Sequence, residues 1–567
     1  MKPRNIALSC AMVVVLVALA ACGGGAAPTQ PAAAPTQAAA PTQAAAAPTE
    51  AAAPTAEVTK GGDLVFAVPA DSEPASFDGQ IDPYQSTWLF DSWVADSLVV
   101  QDSDGQYKPD LASSWESTPD GKTWTFHLRN DVKFQDGTPF NAEAVKFNFD
   151  RVKDPKTASA QLADDLGPIK SVEVVDEYTV KVNYDEPWVT LLDAVRRMPI
   201  WSPTAAQKYS VGEFDKHLVG AGPFTFEEWV PNDHATLKKW ADYGGWNSAQ
   251  KHPGAVYLDS VTIKFVGEKA VLGSMVKTGD AHIVQELPAT YVADYKDKPD
   301  VQLLTGYQPG TGLEMVMNTT KPPLDQLKVR QALLYATDQK AINDLTYDGL
   351  YLVQKGPLNR AHPCYWKGVE DMYPTDPEKA KSLLEEVGWT DQNNDGIREA
   401  KGVPGVPDGT PLKIRFTCLH HQEIGEALQG QYRQVGIDLS VEVVPGPVQL
   451  DRVQKRDFDL MYERQRTPDP RVLDQIWNSK WSQPGGWAWS GLKIPELDNI
   501  LNQITTTADM TKRCQLAADA QKIIMENAGM LPTLDDPMFY ALSGKVKDFR
   551  LGTEGSWCFL NDTYLEK

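Results

Sequence analysis

One short stretch of this 567-residue chain has the oxygen spacing of a cation site. In DQNNDGIRE, Asp391, Asn393, Asp395 and Glu399 stand at positions 1, 3, 5 and 9 of a calcium-loop pattern, with Gly396 at position 6. Position 12, which calls for a bidentate glutamate, is Gly402, so a plain solvated turn competes with calcium and no other cofactor is implied. His420 and His421 are adjacent after a strand and point to opposite faces, which argues against a shared metal. Cys364, Cys418, Cys514 and Cys558 contain no C-x-x-C pair, so zinc is not expected. In an oxidising compartment one disulfide is expected among them, with its pairing open.

Groups for covalent chemistry are missing. There is no G-x-S-x-G elbow, H-E-x-x-H or Walker A sequence, and Gly220-Ala221-Gly222 leads into a proline and a strand rather than a helix. Asp164-Asp165 reads as a solvated surface turn. What remains is binding chemistry. In FDLMYERQRTPDP, alternation along an extended strand puts Tyr462, Arg464 and Arg466 on one face, an anion-friendly wall. Just after it, Trp477, Trp481, Trp487 and Trp489 crowd one segment. Trp477 reads as core, whereas Gly485-Gly486 gives Trp487 and Trp489 a flexible approach for stacking on a sugar face or an apolar side chain.

The elements that must position these residues are legible. Pro119-Asp120-Gly121-Lys122 is a turn, Thr123–Leu128 alternates as a half-buried strand, and Asn141 caps a helix from Ala142 to about Val152. Phe224 to Tyr243 reads as two strands around a Pro231-Asn232-Asp233 turn. A strand near Leu313 leads through a proline turn to a helix from Asp325. Asp376–Trp389 is a helix with proline in its first turn and glycine near its end. Leu497–Leu534 gives two helices and the entry to a strand.

LASSWESTPDGKTWTFHLRNDVKFQDGTPFNAEAVKFNFDRV, GAGPFTFEEWVPNDHATLKKWADY, LEMVMNTTKPPLDQLKVRQALLYATDQKAIND, DPEKAKSLLEEVGW and LDNILNQITTTADMTKRCQLAADAQKIIMENAGMLPTL follow one another in order. Together they resemble the peptide, dipeptide and nickel solute-binding proteins of ABC importers (bacterial solute-binding proteins family 5), from about Gly61 to Phe549. The resemblance implies an α/β, periplasmic-binding-protein-like two-lobe cleft fold of type II, with mixed sheets, a hinge and an extra lobe. Lobe I would be 60–98, 220–311 and 541–567, lobe II 99–219 and lobe III 312–540. It also implies a small-molecule ligand, an ABC permease as partner, a monomer and no catalysis. Asp469-Pro470 matches the family's acidic-residue-plus-proline signature. Three residues earlier, where the peptide binders usually carry an aspartate for the ligand ammonium, stands Arg466. Either Arg466 anchors a carboxylate, phosphate or sugar oxygen, or it turns outward or pairs with Asp469 or Glu463. Tyr84 and Trp88 lie where relatives line the cleft. Oligopeptide is the family default, a saccharide or sugar acid the alternative, and a surface receptor without transport a further rival.

The amino terminus sets the compartment. Lys2 and Arg4 precede an apolar run, Ala11 to Ala21, shorter than the roughly 18 residues of a spanning helix. Residues 1–21 thus read as a signal peptide. Leu19-Ala20-Ala21-Cys22 resembles a lipobox, which makes Cys22 a lipid anchor and the protein extracytoplasmic. Residues 22–59, repeating Ala-Pro-Thr-Gln, bury nothing and form a stalk. At 42% hydrophobic the whole chain has enough apolar residues for a large core in the remainder, and a net charge of −22 argues against nucleic acid and against anionic membrane surfaces.

Overall fold

Apolar alternation and parallel crossovers lay down three main sheets. They are seen in a computed structural model that describes residues 61–82, 85–102, 105–159, 161–483 and 485–566. The signal peptide, Cys22, the stalk and Tyr84 lie outside the described residues. The strand Asp63–Pro69 pairs in parallel with both Ser260–Val266 and Ile283–Gln285. A parallel strand at the centre of a sheet is covered on both faces and reads as a continuous apolar run. Accordingly Leu64, Phe66 and Val68 enter one core while Ala67 enters another. Antiparallel strands Val301–Gly306, Met538–Ser543, His234–Lys239 and Phe224–Val230 complete a seven-stranded sheet.

A four-stranded antiparallel sheet holds Ala112–Ser117, Thr123–Leu128, Thr179–Tyr184 and Ile169–Asp176. Its helix, Ala142–Lys153, begins as expected, with Asn141 Oδ1 accepting from the Ala144 N–H at 3.0 Å. The six-stranded sheet runs Leu352–Val353, Met530–Asp535, Leu313–Met317, Leu460–Glu463, Lys413–Cys418, Asp438–Val443. Helices Leu327–Ala336, Pro377–Glu386, Gln422–Arg433, Pro495–Thr506 and Met510–Glu526 build its core. The first of these starts two residues later than Asp325. The Asp325 N–H is committed to the Lys321 carbonyl and the Gln326 N–H to that of Pro323, so both belong to the proline turn. Among the described residues no helix is long and apolar enough to cross a membrane.

Cys364 and Cys514 form the disulfide, and Cys418 and Cys558 are free and buried. The bridge ties the loop after Leu358 to the helix Met510–Glu526 across 150 residues of sequence. Removing so long a loop constraint costs about 2–5 kcal/mol. Reductant, or Cys514→Ser, will therefore lower the Tm of the protein, and Cys418→Ser will not reproduce the effect of reductant.

Candidate functional site

The strand Leu460–Glu463 continues as extended chain through Arg464, Gln465 and Arg466, because a second segment holds it there. Gly310 bridges Arg466, the Thr311 N–H donates to the Gln465 carbonyl at 2.8 Å, and the Gln465 N–H donates to Thr311 Oγ1 at 2.9 Å. Gly310 has φ +144°, and a Cβ there would lie 2.1 Å from the Gln465 carbonyl oxygen, so only glycine permits the approach. Both guanidiniums then converge on one carboxylate that sequence reading passed over. Arg466 Nη2 donates to Asp536 Oδ2 at 2.9 Å, and Arg464 Nη1 donates to the same oxygen. Burial pushes the Asp536 carboxyl up, but Arg464 and Arg466 outweigh it and hold it below the usual range. Arg466 therefore pairs with neither Asp469 nor Glu463. Among the described residues its Nε and Nη1 make no protein hydrogen bond.

Arg466 lines a small, solvent-open cavity with Arg197, Arg471, Asp165, Asp193 and Asp469. Every one of these carboxylates is already engaged. Asp469 accepts from both Nη atoms of Arg513, at 2.9 Å from Nη1, and from the Arg471 N–H at 2.8 Å. Asp165 takes Arg471 Nη1 at 3.1 Å and Arg197 at 3.3 Å. Asp193 takes Arg197 at 2.7 Å, Arg196 Nε at 2.9 Å and the Thr467 hydroxyl at 3.4 Å. Burial raises the Asp193 carboxyl, yet Arg197 and Arg196 bring it down to about 2. Arg196 reaches on to Glu554, so one chain of ion pairs runs Glu554, Arg196, Asp193, Arg197, Asp165, Arg471 and Asp164, and the Arg471 N–H ties the separate Asp469–Arg513 pair to it. Arg196-Arg197 adjoining Asp193, and Arg471 following the Asp469-Pro470 signature, were the only traces of this chain in the sequence.

The other expected contacts are placed differently. Trp88 is buried with its Nε1 donating to the Gly79 carbonyl at 3.0 Å, and it backs the cavity by stacking under Arg197 at 4.9 Å. Asp469 holds Arg513 instead of offering a free oxygen, because Arg513 is buried and must be neutralised. Tyr462 packs edge-on against Phe416 at 5.0 Å and His421 at 5.8 Å, away from the cavity wall. Trp487 and Trp489 stack on each other at 5.6 Å, and Trp489 packs on Val453, Phe458 and Met461. Those residues lie toward the opposite end of the strand from Arg466, so the pair is not brought to the cavity. Asp164-Asp165 is no solvated turn, since both carboxylates hold Arg471. Trp477 is core, as read. His421 meets Tyr347 at 2.9 Å and makes no site with His420. Asp391, Asp395 and Glu399 do cluster within 4.8 Å. Asn393, however, turns its amide nitrogen to Glu399 at 2.9 Å, and Glu399 is further held by the Gln392 N–H at 2.8 Å.

Two stability consequences follow from these pairs. Arg513→Ala strands a buried carboxylate and will cost about 3–5 kcal/mol in urea unfolding. Asp535, beside Asp536, is pushed up to about 7 by burial and then by Asp536. Between the unfolded value near 4 and about 7, the folded state binds more protons than the unfolded one, so stability falls as pH rises through that window. Unfolding curves at several pH values will show a shallower fall for Asp535→Asn.

Residues 106–485 match the family described as Bacterial extracellular solute-binding proteins, family 5 Middle. The glutathione-binding protein GsiB of Escherichia coli O1:K1 is 27% identical over 506 residues, covering 84% of this chain and 91% of that protein. The oligopeptide-binding protein AppA of Bacillus subtilis, solved with a nonapeptide, aligns with a TM-score of 0.74 at 20% identity, over 90% of this chain and all (100%) of its own. AgaA of A. tumefaciens R10, solved with agropinic acid, aligns with a TM-score of 0.72 at 25% identity, over 89% of this chain and 99% of its own. The fold is that of the type II periplasmic binding proteins, mixed α/β with a cleft between lobes. With its match over most of the folded residues, this chain belongs to the family 5 bacterial extracellular solute-binding proteins.

Proposed function

We propose that the protein is the substrate-binding component of an ABC importer, held outside the cytoplasmic membrane by a lipid on Cys22 and acting as a monomer. It captures a small solute in the cleft and delivers it to the permease. The seven-, four- and six-stranded sheets would anchor lobes I, II and III, and solute contacts to facing walls would favour the closed form. That role is binding without catalysis, as for the family, and the cavity's carboxylates are locked to arginines.

The observation that carries the reading further is which hydrogen-bonding capacity is still free. The lining carboxylates are engaged by guanidiniums, whereas Arg466 keeps Nε and Nη1 available. The group that docks there is thus an anion, most simply the carboxylate of a short peptide. Relatives solved or named with glutathione, a nonapeptide and agropinic acid all take ligands that carry carboxylates. A sugar acid would satisfy the same arginine and is the second reading.

Thermal-shift measurements on the purified protein test this. A solute at 100 times its Kd adds about 2.7 kcal/mol of stability. Peptides with a free carboxylate, N-acetylated ones included, are expected to raise Tm; C-amidated peptides and Arg466→Ala are expected to lose the shift. If only free-amine peptides bind, Arg466 is not the anchor. If sugar acids alone bind, the second reading replaces the first, and a chain that binds neither class is not this kind of receptor.

A further inference from the structure

Most buried carboxylates along the cavity are matched to arginines, but two behind it are not. Glu314 and Glu463 are 0% and 3% exposed and stand directly opposite each other on the antiparallel strands Leu313–Met317 and Leu460–Glu463. Facing positions on such strands bring Cβ atoms to about 5 Å, where like charges repel. No arginine, lysine or backbone N–H meets them. Glu314 Oε1 and both oxygens of Glu463 lack any hydrogen-bond partner, and Glu314 Oε2 has only Gln354 Nε2 at 3.5 Å.

Gln354 supplies the independent observation. It is 2% exposed, its Nε2 is turned to the Gly356 carbonyl at 2.8 Å, and its Oε1 is left without a donor. A Cβ on Gly312 would lie 2.6 Å from that oxygen, so glycine keeps the space beside it open. Four buried oxygens therefore lack a donor, and the two carboxylates bring two formal negative charges. Protons on the two carboxyls would remove the charge and donate to some of these oxygens, the Gln354 oxygen included, but two protons do not supply a donor to all four. One hard cation answers both, since all-oxygen sets with two carboxylates suit calcium and its kind.

We propose that Glu314, Glu463 and Gln354 form an internal site for one divalent hard cation, with calcium as the probe. The site is separate from the Asp391–Glu399 loop and independent of what the cleft binds. It lies two residues before Gln465, which lines the cavity, so occupancy would stiffen the strand that presents Arg466. Because the set is sealed from solvent, binding is coupled to folding.

The test measures metal content and Tm of the whole protein after refolding with calcium, with magnesium or with chelator. The expected result is one bound equivalent of calcium and a raised Tm, both lost in Glu463→Gln and Glu314→Gln and both kept in Asp391→Asn. Calcium that survives the glutamate changes but not Asp391→Asn belongs to the other loop and overturns the proposal. So does wild-type protein without bound metal. Should the glutamine variants fail to fold, infrared spectroscopy of the wild type decides. A protonated-carboxyl carbonyl band in calcium-saturated protein overturns the site, and its absence, with weaker calcium binding in Gln354→Ala, supports it.

Discussion

The pairing of Asp469 with Arg513 is the constraint on which the rest of the cavity depends. Both groups are buried, and each would be costly alone, so the helix Met510–Glu526 and the loop after the strand Leu460–Glu463 must arrive together. Once Asp469 is fixed, Arg471 is aimed at Asp164 and Asp165, and Thr467 meets Asp193. The disulfide joins the same helix to a distant loop, adding a covalent restraint to the electrostatic one.

This arrangement shows how a binding site can be charged yet selective. Six charged side chains line the cavity, but their mutual pairing removes most of them from solute recognition. A solute that displaced Arg471 or Arg197 would have to replace two ion-pair contacts at once. Arg466 is the exception, being half served by Asp536, which it shares with Arg464. Under the proposed function, recognition falls on the guanidinium with unused N–H groups, while its neighbours set the shape of the wall.

The sequence-level expectations divide along a physical line. Asn141 and the Pro231-Asn232-Asp233 turn read correctly because capping and turn geometry are decided by a few neighbouring residues, whereas the helix read over Asp376–Trp389 spans only Pro377–Glu386. Strand alternation is local too, but it did not foretell that Arg464 and Arg466 share Asp536 while Tyr462 packs on Phe416 and His421. Trp487 and Trp489 were misplaced because composition says nothing about which end of a strand a later loop returns to. Asp164-Asp165 looked like a surface turn because nothing nearby in sequence announces Arg471, some three hundred residues away.

By itself the sequence determined the family and the mixed α/β class, both of which reside in contiguous motifs. Which carboxylate meets which guanidinium was decided only by the tertiary structure. Asp536, Arg513, Asp193 and Glu554 come from segments that share no local pattern with Arg466. Low-dielectric burial obliges charges to find partners wherever the fold brings them, and the partner is chosen by distance in space, which spacing along the chain does not encode.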